Sequence, residues 1–360
     1  MEQLIKYAIE NGASDIHITE GNKSWVRIKN DLMPYGGRIT FLEIDEFVKE
    51  HMVSVYERFG YMSEGSSTEP IDGAFKFLGT RIRVNIYLGS DGINLALRLL
   101  SNEILPLDKL CLPESVKEFT KIKSGLFIVV GTTGSGKSTT LASMIDEINH
   151  TRSENILTIE QPIEYMYKPD KCRIEQMEVG VHIESFAMAT VAAMRQDPNI
   201  LLIGEMRDLE TIQNAITLAE TGHVVYGTLH AKSVTDTIDR IIDVFPPKQQ
   251  EQVRFQLANV LKGVLHQTLV RGTKGVVPLV ELLAVDDVTS SMILGKQKAN
   301  SIRDRLRGNS AFGCVHIADN AAWHIRNNRL TLEDVRPYLS NDDFNIAKAI
   351  AGTGKGFNDG

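Results

Sequence analysis

The sequence predicts an α/β protein with three parts: a small α+β domain, a larger domain built on a parallel sheet, and a helical C-terminal region. Three observations support this prediction. Alternating strand patterns occur in residues 1–100, the glycine-rich motif GTTGSGKS spans residues 131–138, and short apolar runs alternate with helical patterns around it. Continuous apolar runs are typical of buried parallel strands, because crossover helices cover both faces of their sheet.

Length and composition limit the class of protein. At roughly 150 residues per domain, a chain of 360 residues predicts about two domains. Hydrophobic residues make up 42% of the chain, so a sizeable core can form and wholesale disorder is excluded. The 39 Lys and Arg residues and 46 Asp and Glu residues give a net charge of −7. This balance argues against a bulk basic surface, so we expect no nucleic-acid partner, although a local basic face is compatible with it.

The cysteines and apolar runs bear on the compartment. The chain has three cysteines, Cys111, Cys172 and Cys314, and no C-x-x-C pair. This excludes a disulfide scaffold and a four-cysteine zinc site built from this chain, and it fits a reducing compartment. The apolar runs fall far short of the ~20 residues that span a bilayer, and the N-terminus lacks a signal-peptide pattern. These features predict a soluble cytoplasmic protein.

The first predicted domain covers residues 1–100. Apolar residues at helical spacing predict an opening amphipathic helix, and residues 42–59 also have a helical pattern. The clearest strand pattern is Arg81–Tyr87, in which apolar and polar residues alternate, and residues 93–99 repeat it. We expect an antiparallel sheet from these strands. A linker is predicted over residues 101–112, which begin with polar residues and contain a proline.

The second predicted domain covers residues 113–285. Four apolar runs predict its buried strands: Leu126–Val130, Ile156–Ile159, Ile200–Ile203 and Val224–Leu229. A long helix is predicted after Pro247, with an apolar stripe from Val253 to Leu265. Residues 286–360 lack strand patterns and are predicted to be helical.

The motif in residues 131–138 matches G-x-x-x-x-G-K-[ST] at every fixed position. In such a loop the backbone N–H groups surround a phosphate, and side chains at the glycine positions would obstruct it. The lysine reaches the β- and γ-phosphate oxygens, the final hydroxyl binds Mg²⁺, and the following helix points its positive end at the phosphates. The predicted nucleotide-binding residues are Gly131, Thr132, Thr133, Gly134, Ser135, Gly136, Lys137, Ser138 and Thr139, with Ser138 as a metal ligand.

Acidic residues follow two of the predicted strands. Glu160 and Glu164 come after Ile156–Ile159, and Glu205 comes after Ile200–Ile203. Functional groups of a parallel sheet collect beyond the carboxyl ends of its strands, where the phosphate loop also lies. Hydrolysis needs an acid that supports the metal and a group that orients the attacking water. Each glutamate alone would be an ordinary solvated residue, but together Glu160 and Glu205 can converge on the γ-phosphate.

Histidines and arginines supply further candidates, for which the residues alone leave alternatives open. His223 and His230 bracket a predicted strand. His230, at its carboxyl end, can contact a γ-phosphate or be satisfied by a backbone carbonyl. Arg81, Arg83 and Arg98 share one face of the first domain's sheet, either as a phosphate clamp or arginine finger or as a plain solvated surface.

Taken together, these motifs resemble those of the type IV pilus and type II secretion ATPases, and most of all the pilus-retraction members. Residues 131–138 resemble the family's Walker A motif, residues 158–164 its Asp box, residues 202–208 its Walker B motif and residues 221–230 its His box. The resemblance extends over most of the chain.

The resemblance implies a PAS-like N-terminal domain, a RecA-like ATPase core and a homohexameric ring. It also implies a location at the cytoplasmic face of the inner membrane, where the ring contacts a pilus platform protein. In such rings ATP lies between the two domains and arginines of the first reach its phosphates, which favours Arg81, Arg83 and Arg98. Glu160 becomes the expected water-orienting base, and Glu205 the expected partner of Mg²⁺.

The sequence departs from the family pattern at two places. Gln161 stands where the Asp box usually has Asp, which removes a charge beside the metal and leaves the chemistry to Glu160 and Glu164. The family's retraction motif, AIRNLIREGK, falls by spacing on residues 287–296, where little beyond the final Gly-Lys agrees. A partial echo occurs at residues 301–304.

The main functional hypothesis is an ATP-hydrolysing motor that retracts a type IV pilus. A pilus-extension or secretion ATPase of the same superfamily is the close alternative. Those proteins often carry a four-cysteine zinc insertion, and this chain has no C-x-x-C pair. Two alternatives come from other classes: a nucleic-acid motor with the same core, disfavoured by the lack of a basic and aromatic stretch, and a non-catalytic nucleotide-binding regulator of a secretion machine.

Overall fold

The computed structural model describes residues 1–28, 31–100, 104–273, 275–295, 299–308 and 313–352. The chain divides into two units. The first unit comprises Met1–Glu103 and Pro162–Met166, and the second unit comprises Ile104–Gln161 and Tyr167–Gly360. Parts of the predicted linker, of the position of the retraction motif and of the C-terminal region lie outside the described residues.

The first unit is built on a six-stranded antiparallel sheet of order β3-β2-β1-β6-β5-β4. A single apolar core joins this sheet to three helices. The elements are α1 (Glu2–Glu10), β1 (Ala13–Thr19), β2 (Lys23–Ile28), β3 (Asp31–Arg38), α2 (Phe41–His51), α3 (Val53–Ser63), β4 (Ile71–Phe77), β5 (Thr80–Gly89) and β6 (Gly92–Leu99).

The predicted α+β character of this unit is confirmed; the PAS-like assignment stays a prediction. Ile82, Val84 and Ile86 of β5 are buried and alternate with polar residues, as the sequence pattern requires. The helix predicted over residues 42–59 is two helices, because the backbone of Met52 leaves the helical region.

The second unit holds a seven-stranded sheet of order β13-β12-β7-β11-β10-β8-β9, in which β13 alone is antiparallel to its neighbour. Its elements up to the last strand are α4 (Ser115–Glu118), β7 (Gly125–Val130), α5 (Lys137–Thr151), β8 (Asn155–Glu160), β9 (Arg173–Glu178), α6 (Phe186–Ala193), β10 (Ile200–Ile203), α7 (Leu209–Glu220), β11 (Val224–Leu229), α8 (Val234–Asp243), α9 (Pro247–Val260), β12 (Leu261–Gly272) and β13 (Gly275–Ala284).

The four predicted buried strands are confirmed as β7, β8, β10 and β11. All six residues of β7 and all six of β11 are buried. Strand order differs from chain order: β11 lies between β7 and β10, and β8 lies on the far side of β10. The loops that follow these four strands therefore share the carboxyl edge of the sheet, with the loop after β11 between those after β7 and β10.

The long helix predicted from Pro247 to Leu265 is wrong beyond Val260. Helix α9 ends there, and Leu261 begins β12, which inserts between β7 and β13. Gly263 marks the change, because an added Cβ would lie 2.6 Å from a ring carbon of Phe119 and 3.0 Å from the carbonyl oxygen of Leu283 on β13. The periodic apolar residues fit either element, and pairing with distant strands decides between them.

The described residues after β13 are mostly helical, as predicted, and form α10 (Asp287–Leu294), α11 (Ala299–Gly308), α12 (Ile317–Arg326), α13 (Leu332–Val335) and α14 (Asn341–Gly352). The position of the retraction motif falls on α10 and on residues beyond it, and Lys296 lies outside the described residues. Across the described part of the chain, no helix has both the length and the apolar character that a membrane crossing requires.

Candidate active site

The glycine-rich motif forms the connection between β7 and α5, as a phosphate-binding loop requires. Gly131 and Gly136 both have positive φ angles, 151° and 86°. An added Cβ on Gly131 would lie 2.3 Å from the carbonyl oxygen of Gln267, and one on Gly136 would lie 2.7 Å from the Nε2 atom of Gln267. Backbone conformation and close packing against β12 therefore both demand glycine at these positions.

Lys137 begins α5 and turns its side chain back over the loop. Its Nζ atom donates to the carbonyl oxygens of Gly131 and Thr132, each at 3.0 Å. The positive charge therefore lies beside the backbone that surrounds a phosphate in loops of this pattern. Thr132, Thr133 and Ser138 have exposed side chains, whereas Ser135 is buried. Three hydroxyl groups thus lie on the accessible side of the loop.

Sequence reasoning missed the residue that fastens this loop. Gln267 lies on β12, is 3% exposed and donates from Nε2 to the carbonyl oxygen of Ser135 at 2.8 Å. Its Oε1 atom accepts from the hydroxyl of Thr140, in the first turn of α5, also at 2.8 Å. The sequence pattern around residue 267 gave no local signal for this contact, since the partner residues are more than a hundred positions away.

Glu205 and His230 meet at the carboxyl edge of the sheet, where the sequence predicted that functional groups would collect. Glu205 follows β10 and His230 follows β11. The Nε2 atom of His230 lies 3.2 Å from the Oε1 atom of Glu205. The same carboxylate oxygen contacts the guanidinium of Arg207. The structure therefore brings two of the predicted site residues together and adds Arg207 as a third.

Glu160 ends β8 and is held in a defined position. Its side chain is 8% exposed, and its Oε1 atom accepts from the hydroxyl of Thr158 at 2.7 Å and from Nε2 of Gln176 at 3.3 Å. Gly204, just before Glu205, packs against it: an added Cβ there would lie 3.3 Å from the Cα atom of Glu160. The absence of a side chain at Gly204 thus lets the ends of β8 and β10 approach closely.

The other predicted residues are placed as follows. His223, at the amino end of β11, makes a 2.9 Å contact between its Nδ1 atom and the carbonyl oxygen of Leu218, which gives it a structural role. His230 also has a backbone partner of its own, because Arg240 donates to its carbonyl oxygen at 2.8 Å. Its ring, however, faces Glu205, so the alternative of a ring satisfied by a carbonyl does not hold in this structure.

The remaining candidates belong to the first unit. Arg83 and Arg98 are cross-strand neighbours on β5 and β6 and line a cavity of about 380 Å³ on the sheet face. The Nε atom of Arg98 lies 2.9 Å from Asp15. Arg81 approaches the sulfur of Met166 at 3.9 Å. Glu164 lies in Pro162–Met166, the segment that groups with this unit although its chain neighbours do not.

The family model for type II/IV secretion system proteins matches residues 1–276, and this chain belongs to that family. Known relatives lie close to it. The type IV pilus retraction ATPase PilT of Pseudomonas aeruginosa is 38% identical over 276 residues, 76% of this chain and 78% of that protein. A twitching motility protein of Neisseria gonorrhoeae is 38% identical over 265 residues, 73% of this chain and 71% of that protein.

Structural comparison agrees with the sequence comparison. A crystal structure of the pilus retraction motor PilT with bound ADP superposes with a TM-score of 0.83 and 38% identity. The match covers 95% of this chain and 97% of that chain. The α/β fold class and the recognition of the ATPase family made from the motifs are both confirmed.

Proposed function

We propose that this protein is an ATPase motor that hydrolyses ATP to drive retraction of a type IV pilus. The observation that carries the proposal is the carboxyl edge of the second unit's sheet. There the phosphate-binding loop, the Glu205–His230 pair and the buried carboxylate of Glu160 lie at the ends of four adjacent parallel strands. Similarity to PilT over most of both chains supports the assignment to pilus retraction.

The loop fits a nucleotide phosphate. Gly131 and Gly136 leave no room for a side chain, and Lys137 keeps a positive charge at the loop backbone. We assign phosphate binding to residues 131–139, with their N–H groups and the start of α5 as donors. Ser138 and Glu205 offer oxygen atoms, the ligand type that Mg²⁺ prefers, and would hold the metal together with the nucleotide. Mg²⁺, when bound, would neutralise part of the phosphate charge.

Three side chains divide the hydrolytic work. Glu160 is the proposed base: it orients the attacking water and accepts its proton, and the hydroxyl of Thr158 fixes its carboxylate. Glu205 supports the metal side of the site. His230 contacts the γ-phosphate with its Nδ1 atom, while Glu205 orients the ring through its contact with the Nε2 atom. We propose Glu164 as a further acidic contributor, because Gln161 carries no charge.

We also propose a role for three arginines. Arg81, Arg83 and Arg98 would supply a positive charge to the phosphates, as an arginine finger does. We further propose a homohexamer that works at the cytoplasmic face of the inner membrane and passes its movement to a pilus platform protein. The resemblance to retraction ATPases supports both the assembly and the partner.

Counting surface pili in a deletion strain tests the proposed direction of force. Loss of a retraction motor leaves pili extended, so excess surface pili are expected, and complementation with the wild-type chain should restore the normal number. Complementation with Lys137→Ala should not restore it. If the protein were instead a non-catalytic regulator, Glu160→Ala would also restore the normal number of pili. Bald cells would contradict retraction and support an extension ATPase.

A further inference from the structure

We propose that Gln267 is a positioning residue of the phosphate-binding loop. Its side-chain amide fixes the peptide group between Ser135 and Gly136, so that the N–H of Gly136 is presented to the phosphate of the nucleotide. The inference rests on the proposed nucleotide binding, and it names a residue on β12 that lies outside every motif of the sequence.

The side-chain amide of Gln267 makes one hydrogen bond to the loop and one to the helix that follows the loop. Nε2 donates to the carbonyl oxygen of Ser135, and Oε1 accepts from the hydroxyl of Thr140, each at 2.8 Å. A carbonyl oxygen only accepts, so the NH₂ group must face Ser135. The side chain is 3% exposed, and water therefore offers little competition for either bond.

The orientation of the Ser135 carbonyl determines the orientation of the next N–H. In a planar trans peptide the C=O and N–H bonds point in opposite directions. Because the carbonyl of Ser135 points at Gln267, the N–H of Gly136 points away from β12. Gly136 itself does not enforce this arrangement, since glycine tolerates several backbone conformations. A flipped peptide would turn a carbonyl oxygen toward the phosphate and repel it.

Gln267 also packs so closely against two residues of the loop that only glycine fits at those positions. An added Cβ on Gly131 would lie 2.3 Å from the backbone oxygen of Gln267, and one on Gly136 would lie 2.7 Å from its Nε2 atom. The loop therefore packs directly against β12 at Gln267. Replacing the Gln267 side chain removes its hydrogen bonds to the loop and to α5, while the backbone of β12 stays in the sheet.

A matched control separates a positioning role from ordinary core stability. Asn149 is also a fully buried amide, with Nδ2 donating to the carbonyl oxygen of Lys168 at 2.9 Å and Oδ1 accepting from the N–H of Asp170 at 3.0 Å. It lies near the C-terminal end of α5, about 18 Å of helix from Lys137. Asn149→Leu and Gln267→Met therefore remove similar buried hydrogen bonds at opposite ends of one helix.

The experiment measures the dissociation constant of Mg-ADP by calorimetry for the full chain and its variants. Both substitutions should lower the unfolding temperature. Gln267→Met should weaken ADP binding about tenfold or more, and Asn149→Leu should leave it within twofold of the wild type. Equal affinity of Gln267→Met and the wild type, or an equal loss in both variants, would overturn the inference.

Gln267→Glu provides a second readout and covers the case in which Gln267→Met does not fold. An ionised glutamate still accepts from Thr140 but cannot donate to Ser135, whereas a protonated one can. The affinity of Gln267→Glu relative to the wild type should therefore improve as the pH is lowered from 8 to 6, since burial raises the pKa of a carboxyl group. A ratio that does not change with pH would overturn the inference. Absence of ADP binding by the wild type would instead overturn the proposed function itself.

Discussion

The Nε2 atom of His230 lies 3.2 Å from the Oε1 atom of Glu205, and this contact joins the ends of two neighbouring strands. Strand β11, which carries His230, also pairs with β7, the strand that leads into the phosphate-binding loop. If His230 contacts the γ-phosphate as proposed, a change at the phosphate can reach the carboxylate of Glu205 through one histidine ring.

If His230 and Glu205 act as a unit, their kinetic effects will not add. We expect Glu205→Gln to lower kcat about a hundredfold and His230→Asn about tenfold. The double variant should lose no more than Glu205→Gln alone, because Glu205 orients the His230 ring and Glu205→Gln already removes that contribution. Steady-state ATPase kinetics of the four proteins measure this, and losses that multiply would show that the two residues work independently.

Two glycines of the phosphate-binding loop should respond differently to alanine. At Gly131 the new Cβ would lie 2.3 Å from the carbonyl oxygen of Gln267, whereas at Gly134 no atom lies within 4 Å. Gly134→Ala adds only the strain of a positive φ angle, about 1–2 kcal/mol. We expect Gly134→Ala to keep, and Gly131→Ala to lose, the rise in unfolding temperature that Mg-ADP causes. A full rise in Gly131→Ala would contradict the described loop.

The arginines of the first unit can be tested one at a time. An arginine finger typically contributes a factor of 10³–10⁵ to kcat. We therefore expect at least one of Arg81→Ala, Arg83→Ala and Arg98→Ala to lower kcat about a thousandfold. Arg58→Ala is the matched control, since Arg58 lies on α3 of the same unit and donates to the carbonyl oxygen of Pro70. Three near-normal variants would show that these residues are a plain solvated surface.

Buried histidines of the C-terminal region should make the protein sensitive to acid. Burial lowers the pKa of His316 to about 4, and it lowers the pKa of His324 to about 4 as well. Unfolded histidine titrates near 6.5. The stability that their neutral forms provide is therefore complete above pH 6.5, and it is lost as the pH falls from 6.5 toward 4.

Measuring the free energy of unfolding against pH checks this sign. Each such histidine contributes a slope of about 1.4 kcal/mol per pH unit across the window. His324→Gln, whose amide can still donate to the carbonyl oxygen of Pro278, should remove one such contribution. His150→Gln is the contrasting control, because its hydrogen bond to Asp170 raises the pKa of His150. That variant should lose stability at acid pH, and an unchanged slope in His324→Gln would contradict the assignment.

The sequence predicted the parts of this molecule that local patterns encode. The glycine-rich motif and the apolar runs of β7, β8, β10 and β11 placed Glu160, Glu205 and His230 at strand ends, because a short continuous apolar run is itself the signature of a buried parallel strand. What the runs do not contain is the order of the strands. The contact between His230 and Glu205 depends on β11 lying next to β10, and that order is a property of the folded sheet.

The role of Gln267 could not be predicted from local sequence patterns. The apolar residues up to Leu265 fit a continuous helix, so the strand on which Gln267 lies was not predicted. Its partners, Ser135 and Thr140, are distant in the chain, and only the pairing of β12 with β7 brings them together. The contact between Thr158 and Glu160 is more accessible to local reasoning. The two residues are two positions apart in one strand, and strand alternation predicts that their side chains share a face.

Steady-state ATPase activity of the purified protein, compared with Lys137→Ala and Glu160→Ala, tests the central claim most directly. We predict that the wild type hydrolyses ATP, that Lys137→Ala neither binds nor hydrolyses it, and that Glu160→Ala binds it while kcat falls about a hundredfold or more. A wild type without affinity for adenine nucleotides, or a Glu160→Ala variant that turns over at the wild-type rate, would contradict the account.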